Sequence, residues 1–160
     1  MAKYAITNGS TSGAGTQQAT AAAYTGALIG LTGANAAPRR IKIYDILIGT
    51  NGTPADNFLE FDISRVTTAS TATSATPQPL DQADATSLTT TTVNSSTFGT
   101  ITTNSNLFYL GLNERASYRW VAAPGGELIS PATSSAGFQL RTRSGGYNGT
   151  VTGTLHFEEQ

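Results

Sequence analysis

Apolar and polar residues alternate along much of the chain with the two-residue period that is typical of β-strands. The clearest case is Phe58 to Val66. Its apolar residues would share one face and its polar residues the other: Leu59, Phe61 and Ile63 against Glu60, Asp62 and Ser64. We therefore expect a half-buried strand, with the polar face in water.

A second strong signal is Ile41 to Ile48, which is β-branched and apolar on both faces apart from Lys42 and Asp45. Such a run is typical of a strand in the middle of a sheet. Shorter runs predict the remaining strands: Tyr24 to Thr32, Thr90 to Val93, Leu107 to Leu112, Tyr118 to Val121, Glu127 to Ser130, Phe138 to Arg143 and Val151 to Glu158. About eight or nine strands separated by turn residues predict an all-β fold, an antiparallel β-sandwich of jelly-roll type.

The organisation along the chain is predicted from small and polar stretches. Residues 1–37 contain repeated glycines, which disfavour a helix, and we expect an N-terminal arm, extended at Lys3 to Thr7, followed by the first strand. Residues 38–160 then form the sandwich domain. Residues 67–97 are rich in Thr, Ser and Ala, and outside the strand Thr90 to Val93 they are predicted to form a long contact loop.

The pairing of the last two strands has two solutions. A two-residue hairpin turn at Asn148-Gly149 would place Leu140 opposite Phe157 and Arg141 opposite His156, so that apolar residues face apolar ones. A jelly roll would instead place these strands in opposite sheets, where they do not pair. Both solutions stay open at this point.

Composition narrows the function classes. Only 12% of the residues are charged, against about 25% in ordinary soluble domains, and the net charge is −1. Without a basic run or a long apolar stretch we expect neither a nucleic-acid nor a membrane partner. Without a signal-peptide pattern we expect a chain of cytosolic origin. With no Cys and one His, we expect no catalytic triad, metal or cofactor.

The few candidate groups for chemistry have ordinary structural explanations. His156 lies on the polar face of the last strand, and we expect it at the surface near Arg141 or Glu158. Glu60 and Asp62 could serve glycoside hydrolysis or calcium binding, but a solvated strand face has the same pattern. Glu158 and Glu159 are expected to be solvated. Trp120 is either a core aromatic or a recognition surface.

Several segments resemble small structural proteins encoded by tailed phages, in particular the group that includes capsid cement or decoration proteins. These segments are Arg39–Tyr44, Thr53–Asp56, Thr76–Asp81, Asn113–Gly125, Leu128–Ala132 and Leu155–Glu159. The resemblance implies a non-enzymatic homotrimer with a jelly-roll-like fold. It also implies a location on the outer capsid surface of the virion, synthesis in the host cytoplasm, and two partners: the major capsid protein and copies of the chain itself.

The expected assembly contacts combine the arm with arginines on strands: Tyr4, Ile6, Arg115, Arg119, Arg141 and Arg143. Three other functions remain open. The chain could be a tail, fibre or baseplate subunit. It could bind carbohydrate through Trp120, Tyr118 and Tyr147. Least favoured is a hydrolase that uses Glu60 and Asp62, because no apolar pocket is predicted to raise the pKa of one carboxyl.

Overall fold

The computed structural model describes residues 1–9, 18–19, 26–51, 56–143 and 150–160, and within these ranges it contains β-strands and no helix. The strands are β1 (Lys3–Thr7), β2 (Gln18–Ala19), β3 (Ile29–Thr32), β4 (Ile41–Asn51), β5 (Phe58–Val66), β6 (Thr73–Ser74), β7 (Gln78–Pro79), β8 (Thr90–Val93), β9 (Ile101–Asn113), β10 (Tyr118–Val121), β11 (Leu128–Ile129), β12 (Gly137–Arg143) and β13 (Thr150–Glu159).

The strands form two antiparallel sheets that pack face to face as a sandwich. Sheet A has the order β10-β4-β13-β1-β7, with β11 also paired to β4 and β2 to β13. Sheet B has the order β6-β8-β3-β12-β5-β9. The all-β antiparallel sandwich expected from the alternation is therefore confirmed.

The chain passes repeatedly from one sheet to the other, in the manner of a jelly roll. The neighbours β4 and β13 lie in sheet A, and the strands adjacent to them in sequence, β5 and β12, are neighbours in sheet B. The hairpin register between the last two strands is therefore wrong. Leu140 pairs with Ile63 and Ile29, because β5 and β3 occupy both edges of β12. The turn at Asn148-Gly149 lies outside the described residues.

The two strongest strand predictions are confirmed in different ways. Ile41–Asn51 lies inside sheet A, with β13 along one edge and β10 and β11 along the other. Phe58–Val66 forms a strand with the expected bounds, and Leu59, Phe61 and Ile63 are fully buried. Its polar face is not solvated, however, since Asp62 and Ser64 are also 0% exposed.

The core lies between the sheets and is built from the inward residues of both. Its largest fully buried side chains are Phe61, Phe138, Phe157, Leu28, Ile29, Leu31, Ile41, Ile43, Ile46, Leu59, Ile63 and Leu140. At roughly 25 cal/mol for each Å² of apolar surface removed from water, this packing supplies the main drive for folding.

The beginning of the chain belongs to the sandwich. Lys3–Thr7 pairs with β13 on one side and β7 on the other, and Tyr4 and Ile6 are buried in the core. The Tyr4 ring stacks on Phe157 with centroids 5.5 Å apart. Of the predicted strand Tyr24 to Thr32, Ile29–Thr32 forms β3 in sheet B. Residues 10–17 and 20–25 of the expected arm lie outside the described residues.

A matched pair of strand glycines tests the packing of sheet B. A Cβ at Gly137 would lie 1.9 Å from the carbonyl oxygen of Leu31, whereas a Cβ at Gly111 would meet nothing within 4 Å. We expect Gly137→Ala to lower the free energy of unfolding by about 2–4 kcal/mol and Gly111→Ala to change it by less than about 0.5 kcal/mol. Urea denaturation measures both, and equal effects would contradict the packing described.

Candidate functional site: the two outer faces of the sandwich

The outer face of sheet A carries a cluster centred on Asp45. The register places Asp45 of β4 opposite His156 of β13, and Arg119 lies on the neighbouring β10. Arg119 donates two hydrogen bonds to the carboxylate, from Nε to Oδ1 at 3.0 Å and from Nη2 to Oδ2 at 2.6 Å. His156 Nδ1 lies 3.1 Å from the same Oδ2. Arg141, one of the two neighbours predicted for His156, instead lies in sheet B, because β13 pairs with β4 and not with β12.

The electrostatics of this cluster follow from its geometry. Asp45 is buried although it points outward, because the side chains of Arg119 and His156 cover it. Hydrogen bonding from Arg119 holds the pKa of the Asp45 carboxyl below its usual value, while burial works in the opposite direction. The same contact raises the pKa of the Arg119 guanidinium. The cluster is therefore an ion pair that ties β10 to β4.

Other charged groups on this face are also paired. Lys42 Nζ lies 3.3 Å from Glu127 and 3.9 Å from Glu158. Lys3 lies over the Tyr44 ring, 5.5 Å from its centroid. Beside the Asp45 cluster is a shallow, open depression of about 320 Å³ whose lining includes Leu47, Gly49, Thr152 and Thr154. The charged groups described on the outer face of sheet A are thus engaged with neighbouring side chains.

The outer face of sheet B contains a buried ion pair. Asp62 of β5 lies directly opposite Arg141 of β12. Arg141 donates from Nε to Oδ1 at 2.7 Å and from Nη2 to Oδ2 at 2.6 Å, and Ser64 donates to Oδ1 at 3.2 Å. Arg143 approaches Oδ2 to 3.7 Å. Asp62, which was expected on a solvated strand face, is therefore a buried partner of Arg141.

Residues 94–100 reach this ion pair, and residues 67–72 are hydrogen-bonded to them; we call these two segments the Thr/Ser layer. The Phe98 ring lies over Arg141, with the guanidinium carbon 4.9 Å from its centroid. The Gly99 amide donates to Oε1 of Gln139 at 3.0 Å. Neither segment contains a charged residue.

Hydrogen bonds join the two segments of the Thr/Ser layer. The amide of Thr67 donates to the carbonyl of Thr100 at 2.9 Å, and the amide of Ser96 to that of Thr71 at 3.1 Å. The outward residues are small and uncharged: Thr67, Thr68, Ala69, Thr71, Ser96, Thr97 and Thr100 are exposed. Part of the predicted loop thus lies here as a further layer on sheet B, and the prediction of a loop is wrong at Thr73–Ser74 and Gln78–Pro79, which form β6 and β7.

The free edge of sheet B is the strand β9, which has no charged residue along its whole length. Tyr109 is 51% exposed, and Phe58 on the adjacent β5 is 54% exposed. On the inward side, Phe108 packs against Tyr118 and Trp120 with centroids 6.0 and 6.3 Å apart. Trp120 packs against the core and is partly buried, which is closer to the core-aromatic prediction than to an open recognition surface. Tyr147 lies outside the described residues.

The six predicted assembly contacts fall into different environments. Tyr4 and Ile6 lie in the core, because β1 is an inner strand of sheet A, and Arg141 is buried beneath the Thr/Ser layer. The remaining three are exposed: Arg115, which pairs with Asp56 at 3.1 Å, Arg119 and Arg143. The structure brings only Arg141 and Arg143 together, at Asp62, and an assembly role for the exposed arginines stays a prediction.

One structural residue was missed from the sequence. Glu159, expected to be solvated, holds the segment Ser87–Thr89 against the end of β13. Its Oε1 accepts hydrogen bonds from the Ser87 hydroxyl, from the Thr89 amide at 2.9 Å and from the Thr89 hydroxyl at 2.6 Å. Glu158, which was likewise expected to be solvated, is buried. No local pattern indicates this contact, because its partners lie about seventy residues earlier in the chain.

In the described ranges, no three His, Asp or Glu side chains come together in a way that could hold a metal ion. No helix of suitable length and apolar character for crossing a membrane occurs among the same residues. Comparisons with known protein families, with characterised proteins and with solved structures give no match.

The two ion pairs differ in burial, which predicts different costs of breaking them. Asp62→Asn leaves the buried Arg141 without its counter-charge, and we expect a loss of about 3–5 kcal/mol in the free energy of unfolding. Asp45→Asn leaves Arg119, whose side chain is 61% exposed, free to be solvated, and we expect a loss of about 1 kcal/mol. Urea denaturation at neutral pH compares them, and equal losses would contradict the burial assigned to Asp62.

The lowered pKa of Asp45 also predicts a dependence of stability on pH. The contribution of its ion pair is fully present above the unfolded-state pKa of about 3.9 and is lost as the pH falls through the folded-state pKa. The stability difference between the native chain and Asp45→Asn should therefore shrink as the pH falls below about 4. A difference that stays constant down to pH 2.5 would show that Asp45 has an ordinary pKa.

Proposed function

We propose that this chain is a non-enzymatic structural subunit of a tailed-phage virion, a decoration subunit that binds the outer surface of the assembled capsid as a homo-oligomer. The observation that carries the proposal is the Thr/Ser layer. It gives the outer side of sheet B an uncharged patch, bordered by the exposed Arg143, opposite a side on which the charged groups of sheet A are paired.

An uncharged side is suited to burial against a neighbour. The cores of protein interfaces are depleted in charged residues, since each buried charge loses its hydration and needs a compensating partner. From residue 85 to residue 113 the chain has no charged side chain, and the same holds from 67 to 80. Several backbone and hydroxyl groups of the layer already form hydrogen bonds within it, and a partner need not satisfy those groups.

Three carboxylates form ion pairs or hydrogen bonds that connect strands and loops, which supports a structural role. Asp62 joins β5 to β12, Asp45 joins β4 to β10, and Glu159 anchors Ser87–Thr89. These contacts account for Asp62, Asp45 and Glu159 as ties between strands and loops. We assign them to stability, as expected of a protein whose function is to remain folded on the outside of a particle.

The partners in this proposal are the major capsid protein, bound through the Thr/Ser layer, and further copies of the chain. The segments that resemble decoration proteins include the start of β4, the connection between β9 and β10, and β10 itself. In sheet A, β4 and β10 are paired. No nucleic acid, membrane or cofactor takes part. A trimer is what the resemblance implies, and the twofold pairing proposed in the next subsection is the alternative to it. A place in the tail instead of the shell is an outcome that the experiment below distinguishes.

Binding to shells that lack the protein tests the proposal. The native chain should bind assembled shells saturably and raise the temperature at which they rupture. Ala69→Glu places a charge on the exposed surface of the Thr/Ser layer and should weaken binding at least about tenfold. Ala123→Glu is the matched control, because Ala123 is also exposed but lies in the turn after β10, and binding should be unchanged.

Two results would contradict this assignment. Absence of saturable binding to shells, together with binding to isolated tails, would place the chain in the tail or baseplate. Equal binding by the native chain and Ala69→Glu would show that the Thr/Ser layer is not the capsid contact.

A further inference from the structure

The outer edge of β9 is the longest free strand edge in the described part of the chain. β9 ends sheet B, and no described strand pairs with its second edge. The other edges are short: β6 and β7 have two residues each and β10 has four. Proteins usually protect long edges with charged residues, proline or bulges, because an open edge pairs with other strands.

β9 lacks most of these protections. It runs for 13 residues without a charged residue or a proline. Its irregularities lie in the first half, where the register with β5 shifts and Asn104 has a φ of 58°. The second half, from Phe108 to Asn113, pairs regularly with β5 and is mostly apolar. This half is therefore a flat, uncharged edge.

We propose that a second copy of the chain pairs with this edge, β9 to β9, in an antiparallel arrangement about a twofold axis at Leu110. Leu110 then faces the second copy's Leu110, Tyr109 faces the second copy's Gly111, and Phe108 faces the second copy's Leu112. The pairing does not depend on the capsid proposal, since it joins two copies of the isolated protein.

The register follows from side-chain complementarity. Open space lies over Gly111, so the half-exposed Tyr109 ring of the other copy can cover that glycine. An axis at Tyr109 would place Leu112 opposite polar Asn106, and an axis at Phe108 would place Leu110 opposite Asn106. With the axis at Leu110, every residue from 108 to 112 faces an apolar residue or glycine, and the first apolar–polar pair, Leu107 with Asn113, joins two exposed positions instead of a half-buried leucine.

The charge pattern favours a second copy of the same chain as the occupant. In a twofold antiparallel pair each strand lies beside an identical copy of itself. A charged residue near the axis would therefore lie close to the same charge on the second copy. β9 has none to repel its twin. The joined sheet would also bring the exposed Tyr109 and Phe58 of both copies onto one continuous surface.

Single-cysteine crosslinking tests the register, and the chain is suited to it because it has no native cysteine. Paired residues in antiparallel strands have Cα atoms about 4.5–5.5 Å apart, within the span of a disulfide. Leu110→Cys should therefore form a disulfide-linked dimer under mild oxidation. Leu112→Cys, on the same face, is the matched control and should stay monomeric, because its twin would lie about 14 Å along the strand.

A mixture of two different cysteine variants tests the pairing of residues that do not lie on the axis. Tyr109→Cys and Gly111→Cys chains should crosslink efficiently to each other when mixed, and each much less with itself. Equal crosslinking at positions 110 and 112 would indicate random collision and overturn the proposal. The proposal also fails if no position crosslinks at protein concentrations up to about 1 mM, the range of weak contacts.

A substitution that preserves the monomer tests the same pairing in solution. Gly111→Lys introduces a side chain into open space next to Glu60 of the same chain, so the fold should be kept. A lysine is also the residue that most often protects a free edge. Sedimentation equilibrium of the purified protein should show self-association at least about tenfold weaker in Gly111→Lys than in the native chain.

The outcomes separate the two proposals. A native chain that is monomeric, or equal association by both chains, overturns the β9 pairing and leaves capsid binding through the Thr/Ser layer unaffected. A trimer without crosslinking at position 110 also overturns the pairing. A closed trimer joins two different surfaces of each copy, whereas the proposed pairing joins β9 to β9. Conversely, an intact β9 dimer that does not bind shells overturns only the capsid proposal.

Discussion

The ion pair between Asp62 and Arg141 determines how the outer side of sheet B is built. It joins β5 to β12 at directly opposed positions, and its carboxylate is completely buried. A buried charge is tolerated only when it is paired and hydrogen-bonded, and here Arg141 and Ser64 supply those bonds. The Thr/Ser layer excludes water from the pair, and Phe98 packs on the guanidinium. The cover and the ion pair therefore depend on each other.

This arrangement explains how a chain with few charges distributes them. On sheet B the Asp62–Arg141 pair lies beneath an uncharged layer and Arg143 is exposed beside it, while the charges on sheet A, around Asp45 and Lys42, remain near the surface. One side of the sandwich is consequently poor in charge, and β9 continues this character to the edge of the sheet. Both proposals rest on this asymmetry: the layer would meet the capsid and the edge would meet a second copy.

Much of the fold could be predicted because alternation and β-branching act locally. The strands at Ile41–Asn51, Phe58–Val66 and Tyr118–Val121 follow from them. The pairing of β12 could not be predicted, because Leu140 finds an apolar partner either in a hairpin or, as observed, at Ile63 and Ile29. Alternation also reports which face a residue takes but not whether a third layer covers that face, and for this reason Asp62 was expected in water. For the same reason, alternation does not show that Ser87–Thr89 contacts Glu159, or which of two arginines on one strand face is covered. Arg141 and Arg143 share one face of one strand, but only Arg141 lies beneath Phe98.

The central claim is that the uncharged side of the sandwich is its contact side, and hydrogen–deuterium exchange on the assembled particle tests it most directly. Exchange is compared between the free protein and the protein bound to shells. The account predicts slower exchange on binding at residues 67–72 and 94–100, with little change on the outer face of sheet A around Asp45. Protection confined to that charged face, with none in the Thr/Ser layer, would contradict it.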